Sequence, residues 1–311
     1  MSVKKSNSIT STYQAISLFR KDIAVVVSAT NSDLEERIEA SQVHLWHKDK
    51  WSSMNVQMSS VAVTTWATKV LMSCYMSQDG IVLTNDGAND IRAEPIDSTD
   101  DGPSDLVQMK AIRCIDNSLI AVGMARLAYK KTLPDGKWMK IDDGLFVPRE
   151  ARTAAVGLND VVSDGEGGLL AVGYKGEIWR MKLDGSWQLE GSPTNVYLSS
   201  IAKHPTKDEF TIVGLKGVII QGSPGTGWTL FEILPKPDFW SIVYFKDKIF
   251  IASDGGLFTI ETDGVKAVDF QLPEPFTTRF LDSCADSIWS VGDSHIFSSI
   301  DGVEWVEVPN P

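Results

Sequence analysis

Apolar residues along this chain come in short runs, several alternating with polar residues, and the runs end at glycine-containing turns. The segments EIWRMK (177–182) and VHLWHK (43–48) show the period of two expected of a strand with two distinct faces. The runs repeat. IVGLKGVIIQGSPGTGW, IASDGGLFTIETDG and SVGDSHIFSSIDGVEW begin at Ile212, Ile251 and Ser290, 39 residues apart in both steps. Upstream, AVGYKGEIWRMKLDGSW begins at Ala171 and AVGMARLAYKKTLPDGKW at Ala121, adding spacings of 41 and 50. Two more degenerate units surround DGIVLTNDG near Gly80 to Gly87, with VLMSC before it, and DIAVVVSA followed by QVHLWHKDKW.

Seven units of about 42 residues fill the 311 positions, the arithmetic of an all-β, seven-bladed β-propeller with four antiparallel strands per blade. One domain over 1–311 is expected, with blades near 13–58, 59–107, 108–150, 151–196, 197–237, 238–275 and 276–311. In the unit at Ala171, LNDVVSD, GLLAVG, EIWRMK and WQLEG read as strands A to D. The glycine of AVG allows close approach near the axis, and the glycine of DG supplies a positive φ for a tight hairpin. Trp51, Trp138, Trp187, Trp228 and Trp305 follow that turn, where a large ring can wedge between blades. A parallel β-helix also stacks repeats, but its repeats are shorter and its ends need polar caps. Counting from TYQAISLF as the first strand A to VEWVEV as the last strand D gives whole blades, which leaves two ways to close the ring: simple apposition, or an extra strand lent by residues 1 to 12.

The formal net charge of −12 argues against nucleic acid or an anionic membrane as partner. Cys74, Cys114 and Cys284 are far apart and lack CxxC spacing, so they read as buried thiols rather than disulfides or zinc ligands. The polar start MSVKKSNSITSTYQ has no apolar signal region, and no run approaches the ~18 apolar residues of a membrane helix. A cytoplasmic, monomeric protein is expected.

Candidate chemistry is sparse. His44 and His47 in HLWH point to opposite faces of a strand and cannot share an ion without a bulge. His204 and His295 stand alone, and SPGTG at 223–227 reads as a hairpin loop rather than a phosphate cradle. No catalytic residues, cofactor site or metal site are expected. Acid is concentrated in two long insertions. Asp33, Glu35, Glu36 and Glu39, with Leu34 among them, fall in the B–C loop of blade one; Glu94, Asp97, Asp100, Asp101 and Asp105 fall around the D–A loop of blade two. These two loop types share one propeller face, and the ten residues have two readings: solvated loops that keep the protein soluble, or a docking surface for a basic protein, the reading carried forward, with Phe146 and Tyr197 as further apolar anchors.

SSIDGVEWVEVP, with TNDGAND and KLDGSW, resembles the bacterial neuraminidase repeat and the related repeat of photosynthesis-assembly propellers; Val291, Gly292, Ser299, Asp301, Gly302 and Trp305 fit best. The resemblance implies a propeller. It does not imply sialidase activity, because Asp301-Gly302 lacks the residue that true Asp-boxes insert, and no arginine triad or Tyr/Glu pair is evident. The expected function is non-catalytic protein binding, in its concrete form an immunity-type protein that neutralises a bacterial toxin through the acidic face. The alternative is a carbohydrate-binding or glycoside-cleaving propeller, which needs paired carboxylates near the axis. A scaffold for membrane-complex assembly is a third reading.

Overall fold

The computed structural model describes residues 11–30, 39–86, 91–104, 107–148, 151–152, 156–233, 236–261, 264–270 and 276–311. Among these, each stretch of alternating or apolar sequence forms a strand, and every four consecutive strands form one antiparallel meander. Blade 1 comprises β1 (Ser11–Arg20), β2 (Ile23–Thr30), β3 (Ser41–His47) and β4 (Lys50–Val56). Blade 2 comprises β5 (Ser60–Ala67), β6 (Leu71–Ser77), β7 (Ile81–Asn85) and β8 (Ile91–Pro95), and blade 3 β9 (Met109–Ile115), β10 (Ser118–Gly123), β11 (Ala128–Thr132) and β12 (Trp138–Lys140). Blade 4 comprises β13 (Leu158–Ser163), β14 (Leu169–Gly173), β15 (Ile178–Met181) and β16 (Trp187–Leu189), and blade 5 β17 (Leu198–Lys203), β18 (Phe210–Gly214), β19 (Val218–Ser223) and β20 (Gly227–Glu232). Blade 6 comprises β21 (Phe239–Phe245), β22 (Lys248–Ser253), β23 (Gly256–Glu261) and β24 (Gly264–Ala267), and blade 7 β25 (Phe280–Cys284), β26 (Ser287–Val291), β27 (Ile296–Ser299) and β28 (Val306–Val308).

The first strands of the blades stand side by side around the axis, and β25 meets β1 to close the ring. This is the expected seven-bladed β-propeller. No described strand crosses from one blade to another, and among the described residues blades 7 and 1 are joined through side chains. In blades 3, 4, 5 and 7 a glycine at or just after the end of the second strand permits a tight approach: a Cβ on Gly173 would lie 1.8 Å from the Gly157 carbonyl oxygen, and one on Gly292 1.9 Å from that of Thr277. The turn in SSIDG is held locally. Asp301 Oδ1 accepts the Val303 and Glu304 amides at 2.8 and 2.9 Å, and Gly302 takes φ +73°.

Seven apolar clusters fill the seven seams, one per pair of neighbouring blades. The wedge tryptophans fall into five of them: Trp51 between blades 7 and 1, Trp138 between 2 and 3, Trp187 between 3 and 4, Trp228 between 4 and 5, Trp305 between 6 and 7. At the closing seam Trp46, Trp51 and Trp289 meet edge to face, with centroids 5.0 to 6.3 Å apart. Trp51 Nε1 donates to the Pro309 carbonyl at 2.5 Å and the Tyr13 hydroxyl to Asn310 Oδ1 at 3.0 Å, tying the chain's end to the first blade.

The innermost strands are too splayed to share backbone ladders, and polar side chains bridge them instead. Ser17 bonds Thr65, Thr64 accepts the Cys114 amide, Arg113 donates to Asp160, and Asp160 accepts Ser200 Oγ and the Ile201 amide. Ser199 donates to the Phe239 carbonyl, Ser241 accepts the Leu281 amide, and Asp282 accepts the Leu18 amide at 2.7 Å. Each seam thus has at least one such bridge near the axis, and in five of the seven the bridge satisfies a backbone group that burial would otherwise orphan.

Candidate interaction surface

Meander geometry places the B–C loops and D–A loops of every blade on one face and the A–B and C–D turns on the other. The insertion between β2 and β3 is indeed a B–C loop, and that between β8 and β9 a D–A loop, so both reach the same face at blades 1 and 2. Asp33, Leu34, Glu35, Glu36 and Asp105 lie outside the described residues. Glu39 is exposed and lines an open groove of about 350 Å³ with Asp79, Met58, Ile81, Leu83 and Gln108.

The remaining acidic positions divide by their partners. Glu94 lies on β8 itself, where it ion-pairs with Lys131 and accepts Trp138 Nε1 at 3.3 Å, across the seam to blade 3. Asp97 accepts the Thr99 amide at 2.9 Å and the Tyr129 hydroxyl at 3.1 Å. Burial alone would favour its protonated form, but these bonds outweigh burial and hold the carboxyl below its usual range. Burial, and then the Asp97 charge, push the Tyr129 phenol up. Asp101 pairs with Arg152 at 3.0 Å, an arginine whose side chain is almost covered. Asp100 is exposed. Glu39 and Asp100 therefore present open carboxylates to solvent, whereas Glu94, Asp97 and Asp101 spend part of theirs within the fold. Sequence spacing cannot separate these roles, because the partners Lys131, Tyr129 and Arg152 belong to other blades or loops.

Of the proposed anchors, Phe146 is 66% exposed on the D–A loop of blade 3, while Tyr197 is half-buried, its ring 4.8 Å from that of Tyr174. His44 is buried between Ser28 and Ser53, whose hydroxyls lie 2.8 and 2.7 Å from its ring nitrogens; His47 is exposed on the other face. His204 Nδ1 accepts the Thr206 and Lys207 amides as a local turn cap, and His295 bonds Glu307 at 2.9 Å. Among the described residues no group of three or more metal-ligating side chains converges.

The axial channel holds a cavity of about 180 Å³ touched by all seven inner strands. Its polar lining includes the bridging Arg113, Asp160, Ser199, Ser200 and Ser241. Asp160 is 4% exposed and takes the Arg113 guanidinium through Nε and Nη2, both at 3.0 Å. Asp282, one residue beyond the channel-lining Leu281, has its carboxyl raised by burial, with the Leu18 amide and Arg113 opposing the rise. Lys110 is pushed down by burial beside Gln108.

The ring, its blade count and its meander order define a seven-bladed β-propeller. No protein-family model matches the chain. In sequence it is similar to the immune protein Tsi7 of Pseudomonas aeruginosa, 27% identical over 294 residues that cover 93% of this chain and 94% of that protein. In structure it is similar to virginiamycin B lyase of Staphylococcus aureus bound to quinupristin, at 11% identity and a TM-score of 0.74 over 94% of this chain and 96% of the other. YCF48 bound to a D1 peptide superposes with a TM-score of 0.68 at 14% identity, covering 97% and 93% of the two chains. The structural likenesses are likenesses of fold.

Proposed function

We propose that this chain is an immunity-type protein, a non-catalytic propeller that neutralises a toxic partner by binding it. The observation that carries the reading is similarity along nearly the full length of both chains to a protein named as an immune protein. A closed ring suits the task, since it holds loops of neighbouring blades in fixed relation with little ordering cost on binding. The loop face of blades 1 and 2 is the docking surface we favour, for a basic protein met by Glu39, Asp100 and the acidic residues beside them. We place the protein in the cytoplasm and take it as a monomer when free.

A glycoside-cleaving reading gains less support. The channel of about 180 Å³ falls short of the ~300–1,000 Å³ of ligand sites, and Asp160 and Asp282 are committed to inter-blade bonds. The test is co-expression in a heterologous bacterium of each protein encoded beside this gene, with and without this chain. Relief of one neighbour's toxicity, with a complex that weakens in salt, supports the proposal; no relief for any toxic neighbour refutes it. Glu39→Lys with Asp100→Lys is the informative charge reversal, because Asp97 and Asp101 would also disturb the fold. Unchanged affinity in that double variant would move the interface off the acidic face.

A further inference from the structure

The pairing registers align one position across all seven blades, the residue at or just before the start of the fourth strand. It is Trp51 opposite Trp46, Trp138 opposite Lys131, Trp187 opposite Met181 and Trp228 opposite Gly222, with Trp305 just before β28. In blade 6 it is Val265 opposite Ile260, and in blade 2 Ile91 opposite Asn85. Each tryptophan shares its seam cluster with the residue at one equivalent place on the second strand of the preceding blade: Trp289, Cys74, Ile120, Leu170 and Phe250 respectively. Val265 still packs into its seam, helped by Phe258 and Tyr244.

Blade 2 breaks the pattern. Ile91 is 44% exposed and is absent from the apolar clusters, so among the described residues no fourth-strand side chain wedges over Val25, the matching residue on blade 1. At that place lies a groove of about 530 Å³ with largely apolar walls, among them Val25, Leu45, Met54, Leu71 and Tyr75. Val70, 50% exposed, stands at its mouth. The volume lies within the range of small-ligand sites. The five filled seams show what the slot is shaped to hold: an indole approaching from the blade's outer side.

The mouth opens on the face of A–B and C–D turns, opposite the acidic loops, and its charge is reversed. Exposed Lys21, Lys48, Lys50 and Lys69 sit on the turns around it, with Arg20 beside them, against Asp22, Asp49 and Asp86 among the described residues; Asp22 is already paired with Arg20 at 2.8 Å. On a chain of net charge −12 this is a basic island around an apolar slot.

We propose that the gap between blades 1 and 2 is a docking slot for an aromatic side chain carried on an acidic segment of a partner protein. The aromatic ring supplies the buried area and the flanking carboxylates meet the lysine rim. This is independent of the acidic-face reading, since it uses the other face and the opposite charge.

The probe is a capped five-residue peptide with a central 5-fluorotryptophan between two glutamates on each side, titrated into the full chain by fluorine NMR and calorimetry. Saturable binding is expected, at least tenfold weaker when alanine replaces the aromatic or lysines replace the glutamates, and weaker with salt or in Lys48→Glu/Lys50→Glu. Ile91→Trp supplies the missing wedge from within, so it should raise the melting temperature and abolish binding. Val70→Glu, at the exposed mouth, should weaken binding without any demand on packing. No saturation at millimolar peptide, equal binding of the lysine peptide, or undiminished binding in both Ile91→Trp and Val70→Glu would overturn the proposal. So would self-association that the peptide displaces, which would assign the slot to a second copy.

Discussion

Because no described strand is shared between blades 7 and 1, the seam between them should respond to truncation of its central ring as a core does. Trp289 is 1% exposed and lies 6.0 Å from Trp46 and 6.3 Å from Trp51, centroid to centroid. Trp289→Ala removes the buried ring and both edge-to-face contacts, and leaves a cavity whose walls are held on two different blades. Large aromatic to alanine changes cost about 3–5 kcal/mol, and two strands facing each other across a gap have little freedom to collapse into it. An unfolding entropy near 2.1 cal/mol/K per residue over 311 residues makes 4 kcal/mol worth a fall of about 6 °C in melting temperature. Differential scanning calorimetry measures it, with Leu183→Ala as control, since Leu183 is 79% exposed and should stay within about 0.5 kcal/mol of the parent. A loss below about 1 kcal/mol for Trp289→Ala would refute closure by side-chain packing and would require some other tie between the two blades.

Asp160→Ala should lose about 2–3 kcal/mol in denaturant unfolding, less than a fully buried pair because Arg113 keeps 39% of its side chain exposed. A double-mutant cycle with Ser200→Ala should show coupling, and additivity would dissolve the bridge. His44 is held near a pKa of about 4 by burial, against 6.5 unfolded, so the unfolded chain takes up a proton first as pH falls. Its contribution is therefore complete above pH 6.5 and is lost between 6.5 and 4, by roughly 3 kcal/mol if nothing else relaxes. His44→Gln should flatten that part of the stability-against-pH curve. Gly173→Ala should destabilise by several kcal/mol or prevent folding, because its Cβ would be forced against the Gly157 carbonyl; a melting temperature unchanged by circular dichroism would contradict the close approach.

What could be read from the sequence was whatever repeats. The VG glycines, the DG turns and the five tryptophans recur at equivalent places in most of the units, and each has a local physical cause, so alignment of the chain with itself exposes them. The placement of the two acidic insertions followed from strand order alone. The inter-blade bonds were not legible. Thr64 to Cys114, Arg113 to Asp160 and Asp282 to Leu18 join residues 50, 47 and 264 positions apart, and at equivalent places the blades use serine, threonine, aspartate or arginine, so no period marks them. For the same reason Glu94, Asp97 and Asp101 looked equivalent to Asp100 in sequence and differ from it in structure.

The two surfaces meet at one seam, and the cause lies in the repeat. A blade whose wedge position keeps its tryptophan spends its apolar area on its neighbour and leaves nothing between them to bind. Blade 2 has Ile91 at that position, 44% exposed, and blade 1 carries a B–C insertion; the seam between them opens as the 350 Å³ groove on the loop face and the 530 Å³ groove on the turn face. The other six seams and the axial bonds keep the ring closed, so loosening one seam costs little of the whole fold. A partner that grips this seam from either face would gain buried area that the free protein leaves exposed. Binding there should then raise the melting temperature with the logarithm of partner concentration above Kd, as RT ln(1 + L/Kd) requires for a free partner concentration L, and a partner bound elsewhere would leave the Ile91→Trp variant as stabilised by it as the parent chain.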